Sequence, residues 1–320
     1  MTTFSADVKN EISKLNIEHD CCKKAELAAL LKTTGTIQIL HPRGFGMKLQ
    51  TENASIARRI FTLLKECFNI HTRVMVRKNK QLKKNNNYYL QIDTDVNIDN
   101  LLLETGLMKF AEDEISFVWG ISSAIIKKRC CKKAYIRGAF LGCGSISDPE
   151  KNYHLELVAT TEEFANDLKK LLGFFGLNAK IVCRKAHFVV YIKEGENIVD
   201  FLNIVGAHSA LLSLENVRIY KEMRNNVNRL VNCETANLDK TLNAAEKQIE
   251  SIKLIKKTIG LKKLGPALFE LAELRVEFAE ASLKELGEMM SPPIGKSGVN
   301  HRLRKILEIA DNIKMEMPFD

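Results

Sequence analysis

The stretches CCKKAELAALLKTTGTI (Cys21–Ile37) and CCKKAYIRGAFLGCGSI (Cys130–Ile146) decide the fold. They are one motif met twice, 109 residues apart. In each, an apolar helical run follows CCKKA and stops at a glycine, Gly35 in the first copy and Gly144 in the second. A repeat on the scale of a hundred residues is too long for a solenoid unit and fits a duplicated half-domain. Duplicated halves pack about a pseudo-twofold axis, a shape that matches the near-twofold symmetry of duplex DNA.

The likeness extends outward from the motif. Phe68–Ile70 (FNI) is answered by Phe175–Leu177 (FGL), and each is followed by a β-like run, Arg73–Lys78 and Lys180–Lys185. Tyr88–Ile92 (YYLQI) matches Phe188–Ile192 (FVVYI), and Gly106 matches Gly206. The offset shrinks from 109 to 100, because the first copy carries a longer basic loop, Lys78–Asn87 (KNKQLKKNNN). Lys48–Thr51 and His154–Val158 alternate as strands do, while Ile56–Cys67 and Glu163–Gly173 carry apolar residues at helical spacing. The expectation is an α+β domain over 1–224, with halves of about 1–115 and 116–224. Each half has the order α-β-β-α-β-β-α, and residues 5–15 form a leading helix.

Composition changes near Met223. Residues 225–239 are polar and rich in asparagine and read as a linker. From 240 to 320 the strand signal is gone, and Leu242–Ile259, Pro266–Ala279, Ser282–Met289 and Lys296–Ile313 read as helices. Ser282 with Glu285 three residues on is a capping box, and Pro266 suits a first helical turn. A short helix, a Ser-Pro-Pro turn and a longer helix make a helix-turn-helix pattern. On the longer helix Val299, Leu303, Ile306 and Ala310 share an apolar face. Ser297, His301 and Arg304 lie opposite, with Lys296, Asn300 and Lys305 on the flanks. Between Ile294 and Leu307 there are four cations and no acid. A recognition helix needs such a face, with hydrogen-bonding groups for base edges and cations for phosphates. Ser282, Lys284 and Arg302 complete the candidate DNA contacts.

The 320 residues carry a net charge of +9, which favours an anionic partner, nucleic acid first. Three stretches are basic and free of acids: His71–Leu90, Ile115–Ser147 and Ser251–Phe269. Lys78, Lys80, Lys83 and Lys84 in the first, and Lys127, Lys128 and Arg129 in the second, are candidate auxiliary phosphate contacts. Eight cysteines without a CxxC do not form a zinc pattern or a disulfide framework. The adjacent pairs Cys21-Cys22 and Cys130-Cys131 read as structural, one member of each packing inward. Reduced thiols, no signal peptide and no apolar window of membrane-spanning length point to the cytoplasm, with no membrane partner. Gly295–Ser297 (GKS) is not a phosphate loop, because Met290 stands where that motif needs glycine. Asp93, Asp95 and Asp99 lack the glycine and glutamate of a calcium loop.

Leu27–Gly35 (LAALLKTTG) and Ile136–Gly144 (IRGAFLGCG) resemble the two LAGLIDADG motifs of homing endonucleases. That resemblance implies motif helices packed at the pseudo-twofold axis, with an acid at the eighth position of each to hold a divalent metal. Here those positions are Thr34 and Cys143, and the sixth positions are Lys32 and Leu141. None is a hard anionic oxygen ligand, so no catalytic residue, metal or cofactor is expected. Taken whole, the chain resembles the WhiA family: a degenerate LAGLIDADG domain, then Asn228–Asn237 (NRLVNCETAN), then a C-terminal helix-turn-helix. The resemblance implies a protein that binds double-stranded DNA, expected here as a nucleoid-associated monomer. It further implies a role in cell division and chromosome segregation, and promoter control in some lineages. Two other readings stay open at this point: a working LAGLIDADG endonuclease, and an adaptor for a division or transcription protein that binds DNA secondarily.

Overall fold

A computed structural model describes residues 3–39, 45–78, 86–92, 98–111 and 114–316 of the chain. They divide into two units, Met1–Lys221 and Glu222–Asp320. The first opens with α1 (Phe4–Ile12), capped by the Thr3 hydroxyl, which accepts from the Ala6 amide. The first copy of the repeat follows as α2 (Asp20–Thr34), β1 (Gly35–Ile39), β2 (Phe45–Thr51), α3 (Ala54–Phe68), β3 (Arg73–Lys78), β4 (Asn86–Ile92) and α4 (Ile98–Glu104). A hairpin, β5 (Met108–Ala111) and β6 (Glu114–Phe117), comes next. The second copy runs α5 (Arg129–Cys143), β7 (Gly144–Ile146), β8 (Leu155–Ala159), α6 (Glu162–Gly173), β9 (Lys180–Arg184), β10 (His187–Ile192) and α7 (Gly195–Val205). Its antiparallel sheet has the order β7-β8-β10-β9, matching β1-β2-β4-β3 in the first copy. The αββαββα order read from periodicity is therefore present twice. The hairpin was not expected, because four-residue strands are too short to show an alternation.

The two motif helices pack side by side, and small residues let them do so. A β-carbon on Gly138 would lie 2.4 Å from the Glu26 carbonyl oxygen and 2.9 Å from the Ala29 β-carbon. One on Gly142 would lie 1.8 Å from the Thr33 hydroxyl. The repeat offset of 109 pairs Gly138 with Ala29 and Gly142 with Thr33. Each glycine thus meets its own counterpart, so α2 and α5 run parallel and in register along the pseudo-twofold axis. Two glycines four residues apart give the close backbone approach known from small-residue helix interfaces. Leu27, Leu30, Leu31, Ile136, Ala139, Phe140 and Leu141 fill the space around the contact and are fully buried.

One buried acid ties three helices together. Glu26 of α2 has no exposed surface. Its carboxylate accepts from Nε of Arg59 in α3 at 2.7 Å and from Nε of Arg137 in α5 at 2.6 Å. Arg59 also donates to the Leu15 carbonyl at 2.6 Å, and Arg137 reaches the Val205 carbonyl at 3.5 Å. A buried ion pair adds little over an apolar core, but removing the shared carboxylate leaves two guanidinium charges uncompensated.

The second unit contains most of α8 (His208–Thr258), a helix of 51 residues. The boundary between the units falls within it. Residues 225–239, read from composition as a linker, are helical and exposed. The physical reason is that no glycine or proline occurs between His208 and Thr258, and asparagine in a helix costs well under ~1 kcal/mol. Gly260, with a φ of 80°, ends the run. Then α9 (Pro266–Glu277), α10 (Leu283–Met289) and α11 (Lys296–Glu316) gather with the end of α8 around Ile252, Ile255, Leu271, Leu286, Leu303 and Ile306. Among the described residues no helix is long and apolar enough to cross a membrane.

Replacing Glu26 with alanine takes the shared carboxylate from Arg59 and Arg137, both half-buried, and leaves each only its backbone carbonyl. The expected result is a loss of about 3–5 kcal/mol in denaturant unfolding monitored by circular dichroism. A change under ~1 kcal/mol would show that the triad is replaceable.

Candidate nucleic-acid interface

The helical unit builds its exposed face from local rules. Ser282 caps α10: its hydroxyl accepts from the Glu285 amide at 3.3 Å, and Glu285 accepts from the Ser282 amide at 2.7 Å. The Ser282 amide, and after it the Ser282 hydroxyl, hold the Glu285 carboxyl below the usual range. Gly287 lets the turn fold back over α10. A β-carbon there would lie 2.2 Å from the Ile294 carbonyl oxygen, and the Ile294 amide donates to the Gly287 carbonyl at 2.9 Å. The Ser291 amide donates to Glu270 of α9 at 2.8 Å, which anchors the turn from the other side.

On α11 the residues Val299, Leu303, Ile306 and Ala310 are fully buried, as their spacing requires. Lys296, Ser297, Asn300, His301, Arg304 and Lys305 are exposed on the other side, at the end of α11 that follows the turn. Ser297, Asn300, His301 and Arg304 fall at i, i+3, i+4 and i+7, so they share one strip of the helix. The helix N-terminus adds its own positive potential there.

Three of the expected contacts have other attachments. The Ser282 hydroxyl is engaged in the cap. Arg302 is half-buried, with its guanidinium 3.5 Å from the Met290 sulfur, so it holds the turn against α11. Lys284 is exposed and 3.8 Å from Glu288 one turn on. One residue was not singled out from sequence. Arg275 of α9 is buried, and its Nη1 donates to the Ala281 carbonyl at 2.7 Å and the Ala279 carbonyl at 3.3 Å. Burial lowers its pKa. A cation four residues after Leu271 on an apolar stripe was the available signal.

The motif ends in the first unit are turned inward. The Thr34 hydroxyl donates to the Leu30 carbonyl at 2.7 Å, and the Cys143 thiol donates to the Ala139 carbonyl at 3.2 Å. Each is thus spent on its own helix. Burial pushes the Cys143 thiol up to about 12, so it is neutral at physiological pH. A cavity of about 390 Å³ beside Thr34 and Gly142 is lined by Lys9 as well as Glu52. Burial pushes the Lys9 ammonium down from its ordinary value, an effect the nearby Cys143 opposes. Lys32, at the sixth motif position, donates to the Val118 carbonyl just after β6, and burial lowers its pKa to about 8.

The auxiliary basic residues are distributed unevenly. Lys78 is exposed at the end of β3, and Lys127 and Lys128 are exposed before α5. Arg129 lies over the rings of Phe174 and Phe175, at 5.9 and 5.2 Å from their centroids. Lys80, Lys83 and Lys84 lie outside the described residues, as do Asp93 and Asp95. Lys48 and Arg77 flank the Tyr89 ring at 4.6 and 5.6 Å, a grouping the sequence reading missed. Strand pairing alone places Lys48 of β2, Arg77 of β3 and Tyr89 of β4 near one another. At the matching register position in the second copy stands Glu156, which pairs with Arg184 at 3.6 Å. The first sheet is therefore the more basic of the two.

Three family models match the chain. They are the WhiA N-terminal LAGLIDADG-like domain over residues 20–108, the WhiA LAGLIDADG-like domain over 132–224 and the WhiA C-terminal HTH domain over 227–310. The chain belongs to the WhiA family. It is 54% identical over 309 residues to the probable cell division protein WhiA of Alkaliphilus metalliredigens, covering 97% of this chain and 98% of that one. The probable cell division protein WhiA of Clostridium botulinum is 53% identical over 312 residues, covering 98% and 99%. The crystal structure of full-length DUF199/WhiA from Thermatoga maritima aligns with 97% of this chain and 99% of its own, at 25% identity and a TM-score of 0.60. The α+β fold expected for the repeated domain is thus that of the WhiA LAGLIDADG-like domains, and the helical unit carries the WhiA helix-turn-helix domain.

Gly287→Val pushes a side chain into the Ile294 carbonyl and the Val299 methyl. The helical unit should lose about 1–3 kcal/mol, read as a lower thermal midpoint. An unchanged midpoint would mean that the turn can move away at no cost.

Proposed function

We propose that the chain is a non-enzymatic protein that binds double-stranded DNA and acts in cell division and chromosome segregation, with control of transcription at its target sites. One observation carries this reading. The exposed strip Ser297–Asn300–His301–Arg304 of α11, flanked by Lys296 and Lys305, stands opposite a fully buried apolar face. Such a helix presents donors and acceptors to base edges in the major groove while its cations meet phosphate. Lys48, Arg77 and Lys78 of the first sheet supply a second, sequence-independent contact to the backbone. The names of the curated relatives support the link to division. The protein works in the cytoplasm, on the nucleoid, as a monomer, and a division or transcription protein is its expected partner.

The absence of nuclease activity follows from Thr34 and Cys143. Both heteroatoms bond back to their own helices, and the cavity beside Thr34 is lined by Lys9 and by one acid, Glu52. A two-metal displacement needs anionic oxygens at that place. The pure protein should leave plasmid DNA intact in magnesium or manganese; stoichiometric or faster cutting would restore the enzyme reading.

Binding separates the two surfaces. Genome-wide capture of bound DNA supplies the cognate site. Arg304→Ala or His301→Ala should then lower the preference for that site over random DNA by about 1–3 kcal/mol in gel shifts. Arg77→Ala or Lys78→Ala should weaken all DNA alike and flatten the salt slope by about one unit each. Equal losses on cognate and random DNA from both sets would refute this division of labour.

A further inference from the structure

The two adjacent cysteine pairs, read from sequence as structural thiols, meet at the pseudo-twofold axis. Cys21 and Cys22 lie in the first turn of α2, and Cys130 and Cys131 in the first turn of α5. Because the helices run parallel and in register, their first turns are side by side. The four sulfurs lie within 4.8 Å of one another. The cluster therefore joins the two helices across the axis. Cys22 and Cys131 are buried, Cys21 is half-buried and Cys130 is exposed.

We propose that Cys21, Cys22, Cys130 and Cys131 form a tetrathiolate site for one zinc ion that clasps the two halves of the repeated domain. Four thiolates at ~2.3 Å from a central ion stand roughly 3.8 Å apart in a tetrahedron, within reach of the observed spread. Multi-metal clusters hold their ligand sulfurs farther apart, so a single ion suits the cage. Four protein ligands leave no open position, which makes the site structural and not catalytic. Each thiol releases its proton to solvent as a zinc–sulfur bond forms, and no electron moves. The resulting double negative charge falls at two helix N-termini, whose dipoles favour it. Neither helix has a side-chain cap, so its first turn is open to the sulfurs. Lys132 and Lys133 follow the second pair in sequence, while Lys23 and Lys24, after the first, are paired with Asp20, Glu66 and Glu104. Exposed Cys130 gives the ion a way in.

This geometry also explains why spacing rules fail here. A single-chain zinc motif places its ligands two to four residues apart. In this protein duplication does that work: each half brings one adjacent pair, and the twofold axis brings the pairs together.

The test uses the full chain, free of any affinity tag and purified with reductant but no chelator. Elemental analysis should find about one zinc per chain. Cys130→Ser and Cys21→Ser should drop occupancy to near zero while keeping the far-ultraviolet circular dichroism. Chelator should lower the thermal midpoint of the wild-type protein and leave that of Cys130→Ser unmoved. Cobalt added to the metal-free wild-type protein should give the visible bands of tetrahedral thiolate coordination, bleached by zinc. This last reading does not depend on any variant folding. A wild-type protein that holds no metal and shows no cobalt bands overturns the proposal. So do full zinc retention by Cys130→Ser and a mass showing disulfides between the pairs.

Discussion

The parallel contact between α2 and α5 is the constraint on which the first unit depends. Gly138 and Gly142 bring the two backbones so close that an added methyl group would overlap carbonyl and hydroxyl oxygens of the neighbour. Everything else in the unit is placed by that approach. The sheets begin where the helices end, at Gly35 and Gly144. The Glu26 carboxylate reaches arginines from two other helices because the helices are near enough to share it. The four thiols converge because the same register brings the first turns together.

Keeping this packing while losing the acids has a clear physical logic. The motif helices are needed as the spine of the domain, and their apolar and small residues are under packing constraints. The eighth positions lie at the ends of the helices, where threonine and cysteine satisfy themselves on the preceding turn. A carboxylate pair there would need a cation to offset its repulsion. Neutral groups carry no such repulsion. The proposed zinc site would sit at the opposite end of the same two helices, where the dipoles favour anionic ligands.

The helical unit follows a different rule. Its small core is built from apolar residues at helical spacing, and its turn is set by one glycine and one capping box. The two halves of the repeated unit have diverged more in charge than in shape. Lys48 and Glu156 occupy matching positions on matching strands, whereas Arg77 is matched by another cation, Arg184, which pairs with Glu156. Shape is held by the interior, which tolerates little change. Surface charge is free to specialise one half for phosphate.

Much was legible from residues alone. The offset of 109 announced two like halves, the 2.0 and 3.6 periodicities placed most strands and helices, and the apolar stripe of α11 located its exposed face. These features depend on neighbours within a turn or two, or on a repeat visible by inspection. The β5–β6 hairpin was too short to signal itself. The asparagine-rich stretch read as a linker, and because it lacks any helix breaker it continues the helix. The packing of Arg302 on Met290 is visible only in the fold. The Glu26 triad joins residues 33 and 111 positions apart, Lys48 meets Tyr89 from 41 positions away, and the two thiol pairs lie 109 apart. No local pattern encodes such meetings. Sequence determined the repeated elements and the amphipathic faces, because those follow from short-range geometry. Tertiary structure alone decided which charges and sulfurs meet, because that depends on how closely two glycine-bearing helices can approach.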